Sequence, residues 1–337
     1  MELNKRIDVI DYLRGFALLG IILVNIGPLL SAKTPAPHSL DASYWRFLYL
    51  LVEGRFYTIF TFLFGVGFYI FITRANAKGK NGYVLFLRRI AVLFLFGLIH
   101  VQFHPGEALT VYAACGLILL PFYKINKAVN LIIGIGLLVI IGISAIKILM
   151  VIPVMLLGIA AGQFGLFEVV SKRIKQVAVF TVIMFGLSAI GLLYQYQYAP
   201  VLSEGVLFGR EASRFIDLGI TIGPIVSAFY TGLLVLLLQI QIIQKLLSPL
   251  KSYGRMALTN YLLQTMFIYL AGYTFNLFGR VSYIETLYIC LAIYVIQMTF
   301  SVIWLRFFQY GPLEWIWRAI TYMKLPPMRR RTKAPGA

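Results

Sequence analysis

Ten runs of mostly apolar residues, each close to membrane-crossing length, constrain this chain more than any other feature. Crossing roughly 30 Å of hydrocarbon takes about 20 such residues, and lipid offers the backbone no hydrogen-bond partners, so helices are expected. The runs cover approximately residues 12–30, 56–73, 90–103, 108–123, 129–149, 151–167, 177–197, 217–244, 257–279 and 283–305. The third and fourth are short and predict a helical hairpin around His104-Pro105-Gly106-Glu107. Of the 337 residues 60% are hydrophobic and 12% charged, with mean hydropathy +0.86. These values describe an all-α, polytopic integral membrane protein of about ten transmembrane helices. Residues 1–327 read as one transmembrane domain and 328–337 as a basic, disordered tail.

A net charge of +18 would suggest nucleic acid in a soluble protein, but here the basic residues sort by side of the membrane. With the N-terminus in the cytoplasm, alternate connections hold 22 Lys and Arg on the inner side and 7 on the outer, with Arg14 inside the first helix. The segment Arg74 to Arg89, with five basic residues and no acid, is the clearest inner loop. This positive-inside bias places both termini in the cytoplasm and leaves no role for nucleic acid. The tail, with Arg329, Arg330, Arg331 and Lys333, is expected to lie on anionic membrane lipid. Glu2, Asp8, Asp11 and Arg14 interrupt a signal-peptide pattern, so the first helix reads as uncleaved. Cys115 and Cys290 both fall in predicted helices and offer no disulfide framework.

Polar residues inside such runs need a reason, since a charge at mid-bilayer costs about 2.5–3.5 kcal/mol. Asp11 and Arg14, three apart, share a face of the first helix. They form either a helix-start ion pair or a site where the guanidinium meets a phosphate or carboxylate from the cytoplasm. Asn25 lies about three turns further on, toward the outer end, either bonding a neighbouring helix or serving chemistry. His100, His104, Glu107 and Tyr112 gather where the third and fourth helices meet. Without an HExxH motif or a third nearby histidine, no metal is expected there, and acid/base work by an imidazole held by a carboxylate fits better. His38, flanked by prolines in the outer loop from Ser31 to Arg55, reads as solvated. Glu53 pairs with Arg55 or faces the same outer cavity. Thr259 and Asn260 form a polar stripe opening the ninth helix, either bridging helices or touching substrate. Gly158 and Gly162 have the spacing of close helix packing. The long outer loops, 31–55 and 198–214, are candidates for lids or binding elements.

Taken in order, these segments resemble the YeiB-like family of bacterial membrane proteins, grouped with the transmembrane acyltransferase superfamily. The resemblance is carried by Arg6 to Gly20 with Asn25, Phe56 to Gly67, Arg88-Arg89 through His100, Gly106-Glu107-Ala108-Leu109 with Tyr112, Leu157-Gly158, Gly254 to Gln264, and Gly311 to Trp315. The family commonly has Asp where this chain has Glu107. His100 matches the family histidine and His38 does not. The resemblance implies a multi-pass protein of the bacterial plasma membrane that passes an acyl group from cytoplasmic acyl-CoA, a donor substrate rather than a bound cofactor, to an outer hydroxyl or amine. In that reading His100, Glu107 and Asn25 are catalytic, with His38 the alternative base beside Glu53. Asp11, Arg14, Glu53, Tyr112 and Asn260 bind substrates. A proton-coupled transporter or lipid flippase using the same residues is the alternative, and a homodimer is among the assemblies allowed.

Overall fold

The computed structural model describes residues 7–168, 170–202 and 210–330. The part of the outer loop at 203–209 and of the tail at 331–337 to which expectations were attached lies outside the described residues. Each of the ten apolar runs corresponds to a helix: α1 (Asp8–Leu29), α3 (Arg55–Ala77), α4 (Gly82–His100), α5 (Leu109–Ile118), α6 (Lys127–Ser144), α7 (Val151–Gln163), α8 (Ile174–Tyr196), α9 (Arg210–Leu237), α12 (Ala257–Thr274) and α13 (Tyr283–Phe307). Among the described residues seven helical stretches are long and apolar enough to cross a membrane: α1, Leu40–Ala77, α4, α6, α8, Ala212–Leu237 and α13. α5 and α7 are apolar but shorter, and α12 carries Thr259, Asn260, Gln264 and Thr265. The protein is thus an all-helical, polytopic membrane protein.

Two local differences from the sequence expectation have clear causes. The outer loop 31–55 contains α2 (Leu40–Phe47) running into a π-helical turn, Leu48–Val52. Ser39 accepts the Ala42 amide and starts this helix, and Tyr44, Leu48 and Val52, spaced by four, bury one face. Gly54, at φ 77°, then breaks the chain before α3. The inner segment 74–89 is also less of a loop than expected. Asn81 caps α4 by accepting the Val84 amide at 3.2 Å, so Arg88 and Arg89 lie two turns inside a helix.

Glycines set the closest helix approaches. A Cβ on Gly254 of α11 (Ser248–Arg255) would overlap the Asp11 carbonyl of α1, and one on Gly158 of α7 would overlap the Phe62 carbonyl of α3. Gly162 packs on Tyr69, so the Gly158/Gly162 pair is a packing motif. A buried polar network knits α11, α12 and α13 together. Asn260 donates to the Ser301 hydroxyl and the Tyr253 carbonyl, both at 2.9 Å, and Gln297 donates to the Asn260 carbonyl. Gln264 reaches the Tyr253 hydroxyl at 2.6 Å and the Leu18 carbonyl of α1 at 3.1 Å. In hydrocarbon such groups must find one another. α10 (Gln241–Leu246) leads into α11, and α14 (Pro312–Tyr322) follows α13. Met328–Arg330 then return along Phe307–Gln309 through an antiparallel bridge.

Candidate functional site

Two cavities enter the bundle from opposite ends. The larger, about 640 Å³, opens where the start of α1 and the end of α3 meet α4, α11 and α14. Its outer wall is strongly basic: Arg14, Arg74, Lys78, Lys80, Arg89, Arg255, Arg318 and Lys324 line it, against two acids, Asp11 and Glu314. Asp11 is buried and 3.5 Å from the Arg14 guanidinium. Glu314 is engaged by the N-terminus of α12, accepting the Leu258 and Thr259 amides and the Thr259 hydroxyl. Arg89 lies 3.5 Å over the Trp317 ring, and the Trp317 indole donates to the Arg89 carbonyl at 2.7 Å. Arg318 lies 5.0 Å over both Tyr310 and Tyr322. Aromatic faces therefore hold guanidinium groups in place without neutralising them, a setting suited to phosphate or carboxylate.

The deep end of this cavity is apolar, with Phe60, Phe64, Phe86, Leu93 and Leu109 beside Tyr112 and Tyr261. From Phe60 to Lys78, the cap of α3, the wall is about 27 Å long at helical rise. The second cavity, about 420 Å³ and outer by the orientation expected from the sequence, lies between the C-terminal half of α1, the N-terminal half of α3, the α4–α5 turn and the α6–α7 turn. Phe60, Leu109, Tyr112 and Tyr261 line both cavities and form the septum between them. Tyr112 is fully buried, its hydroxyl 2.8 Å from that of Thr61.

The His100 cluster stands behind this septum. The His100 Nε2 is 2.8 Å from the Thr265 hydroxyl of α12, and its Nδ1 is 3.7 Å from Glu107. Glu107 caps α5: it accepts the Leu109 amide, the Thr110 amide at 2.9 Å and the Thr110 hydroxyl at 2.8 Å. A carboxylate accepting so many donors is held ionised and oriented. Glu107 lines the outer cavity, whereas His100 lines neither and meets the septum through Tyr261, its ring 5.1 Å away. His104, also buried, has its ring 5.3 Å from that of His100 and neither nitrogen hydrogen-bonded.

The structure thus gathers most of the expected site residues around two cavities that meet at a shared septum. Asp11 and Arg14 line the basic cavity, Asn25, Glu53 and Glu107 the outer one, and Tyr112 both. Glu53 pairs with Lys147 rather than with the Arg55 side chain, which donates to the Glu53 carbonyl, the Gly219 carbonyl and Gln195. Asn260 is on neither wall; its side-chain amide donates to the Tyr253 carbonyl and the Ser301 hydroxyl, within the packing of α11, α12 and α13. His38 is exposed in a left-handed turn, φ 57°, and lines neither cavity. Among the described residues no three His, Cys, Asp or Glu side chains form a metal-binding group. Sequence reasoning overlooked Tyr261, Arg318 and Trp317. The last two sit on a short amphipathic helix after the final apolar run, and that amphipathic pattern was the signal available.

Residues 161–324 match the DUF418 family, described as a protein of unknown function. Over 99% of both chains, the protein is 57% identical to an uncharacterized 39.9 kDa protein from the amylase 3′ region of Bacillus acidopullulyticus. It is 28% identical to the uncharacterized protein YxaH of Bacillus subtilis, covering 98% of each chain. Identity to the uncharacterized protein YeiB of Escherichia coli is 29%, covering 97% of this chain and 99% of that one. No solved structure matches the chain. By its 57% identity over nearly the whole length of the Bacillus acidopullulyticus protein, with the DUF418 match and the two further bacterial relatives, the chain belongs to the YeiB-like DUF418 family of membrane proteins.

Proposed function

We propose that the protein is an acyltransferase of the bacterial plasma membrane that moves an acyl group from a cytoplasmic acyl-CoA to a hydroxyl or amine on the opposite side. The observation that carries this reading is the pair of cavities meeting at Phe60, Leu109, Tyr112 and Tyr261. With the termini in the cytoplasm, the basic cavity faces the donor. The phosphates sit among Arg14, Arg74 and Arg318, and the extended thiol arm follows α3 down to the septum. Asn25 and Glu107 face the acceptor from the other side.

In the reaction the thioester C–S bond breaks and a C–O or C–N bond to the acceptor forms. The acceptor proton passes to the His100–Glu107 pair, and the leaving thiolate takes a proton to become free CoA. Glu107, held ionised at the start of α5, orients and stabilises the imidazolium, and His100 is the base of the pair. Because His100 is shielded by Tyr261, this step requires a movement of the Tyr261 ring. Asn25 supplies a hydrogen bond to the acyl oxyanion, a contribution of about 2.7–4 kcal/mol where such a donor is preorganised.

The test is the thermal stability of detergent-purified protein with acetyl-CoA and longer acyl-CoAs. Ligand at about 100 times its dissociation constant adds roughly 2.7 kcal/mol. A stabilisation lost in Arg14→Ala supports donor binding, and no shift with any acyl-CoA removes this reading. The rival reading is a transporter, for which the intramembrane polar residues on the two cavity walls would line the pathway. Reconstituted vesicles separate the two: a transporter delivers unmodified solute, a transferase leaves an acylated acceptor.

A further inference from the structure

The mouth of the outer cavity has an unusual position. Its exposed wall residues are Val101, Pro105 and Gly106 from the α4–α5 turn, and Lys147 and Ile148 from the α6–α7 turn. The mouth therefore lies between these two turns. Each turn leads into a short helix: α5 has 10 residues and α7 has 13, about 15 and 20 Å, against roughly 30 Å of hydrocarbon. Both turns sit at the ends of the longer helices α4 and α6, beside the starts of these two short ones. Their backbone is suited to apolar surroundings, since the amides of Phe103, His104 and Glu107 and those of Leu149 and Met150 bond carbonyls inside their own turns.

The surface around the mouth is apolar. On the rim Ile148 is 58% exposed and Val101 36%, and next to Val101 along the chain Ile99 and Phe103 are 65% and 54% exposed. Side chains of this kind so exposed on a membrane protein stand against lipid tails, so the mouth opens sideways into the bilayer. Inside it the character changes: Glu53 is ion-paired with Lys147, and Asn25 and Glu107 lie on the walls. An apolar rim leading to a polar interior matches an amphiphile whose head enters while its tails stay outside. Lys147, half exposed, can keep its ammonium at the head while its stem lies along the tails.

We infer that the outer cavity admits a membrane lipid sideways through the gap between Gly106 and Ile148, with the lipid's polar head seated among Asn25, Glu53 and Glu107. The occupant is a lipid whose head carries a hydroxyl or amine. If the acyl-transfer reading holds, that group is the acceptor: it gains the acyl carbon, its proton goes to the His100–Glu107 pair and the donor leaves as free thiol. The sideways entry rests on the geometry of the mouth alone, so its test is independent of donor binding.

The experiment uses the full chain in lipid nanodiscs with a phosphatidylethanolamine bearing a diazirine on its headgroup, alongside the deacylated, water-soluble form of the same probe. After illumination, labelled peptides are mapped by mass spectrometry. The lipid probe is expected to label peptides containing Asn25, Glu53 and Glu107 at least about ten-fold more than the soluble probe, because its chains partition into the bilayer. Gly106→Trp tests the route: a Cβ at Gly106 meets only the His104 ring, at 3.7 Å or more, so the indole has room to fill the mouth. This variant should lose the cavity labels and keep those on the lipid-facing surface of α8. Equal labelling by the soluble probe, headgroup labels confined to the outer surface, or cavity labelling unaltered by Gly106→Trp would each overturn the inference. Failure of the acyl-transfer reading is read separately, as loss of the acyl-CoA stability shift with lipid labelling intact.

Discussion

The hydroxyl of Thr259 donates a 2.6 Å hydrogen bond to Glu314 and accepts the Leu313 amide at 3.1 Å, which joins the start of α12 to the start of α14. Glu314 also accepts the Leu258 and Thr259 amides, so one carboxylate caps a helix distant in sequence. The link matters to the site because α12 carries Tyr261 and Thr265, while α14 carries Trp317 and Arg318.

Removing the joint should loosen both walls of the basic cavity. Thr259→Ala is expected to cost about 1–2 kcal/mol in detergent unfolding, as loss of a cap and of a buried hydroxyl's bonds does. If Thr259→Ala unfolds with the native midpoint, the link is not structural.

Burial pushes the Glu314 carboxyl above its ordinary value, although the bonds from Thr259 and Leu258 act in the opposite direction. Its folded form thus holds a proton more readily than its unfolded form. The associated stability is present below the ordinary carboxylate value and is lost as pH rises through the raised one. Melting temperature followed upward from about pH 4.5 should therefore fall less steeply in Glu314→Gln than in the native protein. An equal slope in both would place the titration elsewhere.

Gly254→Ala should displace α11 from α1, since the new Cβ would overlap the Asp11 carbonyl. Overpacking of this kind costs about 1–3 kcal/mol. The shift also moves Asp11 and Arg14, so acyl-CoA stabilisation should shrink with it, whereas Gly136→Ala, which meets nothing within 4 Å, serves as the silent control.

Arg55 is buried, with Gln195 accepting from its guanidinium at 2.8 Å. Gln195→Leu strands that donor and should cost about 1–3 kcal/mol by thermal unfolding. Gln195→Glu, which keeps an acceptor, should be milder, and the reverse order would show that Arg55 is satisfied by the Glu53 and Gly219 carbonyls alone.

Leu109 is part of the septum, and Leu109→Ala should open the two cavities to each other. Vesicles containing that variant should leak protons faster than those with native protein, as measured by an internal pH dye. A tight variant would mean that Phe60, Tyr112 and Tyr261 suffice to close the path.

What the sequence determined by itself is what local chemistry dictates. Apolar run length located every long helix, Gly158 and Gly162 announced close packing, and Asp11 with Arg14 marked one face of α1 because their spacing is a helical one. The partner of a polar residue was legible only when it lay within a turn or two. Asn260 and Glu53 carried no local sign of their partners, for Ser301 and Lys147 are brought to them by other helices. The same holds for the septum: Phe60, Leu109, Tyr112 and Tyr261 come from α3, α5 and α12 and look like ordinary core residues in the chain. Cavities are set by how helices of unequal length and tilt pack, a property of pairs of distant surfaces. Apolar patterning specifies that those surfaces must be buried, and the tertiary structure alone decides against what, and where space is left between them.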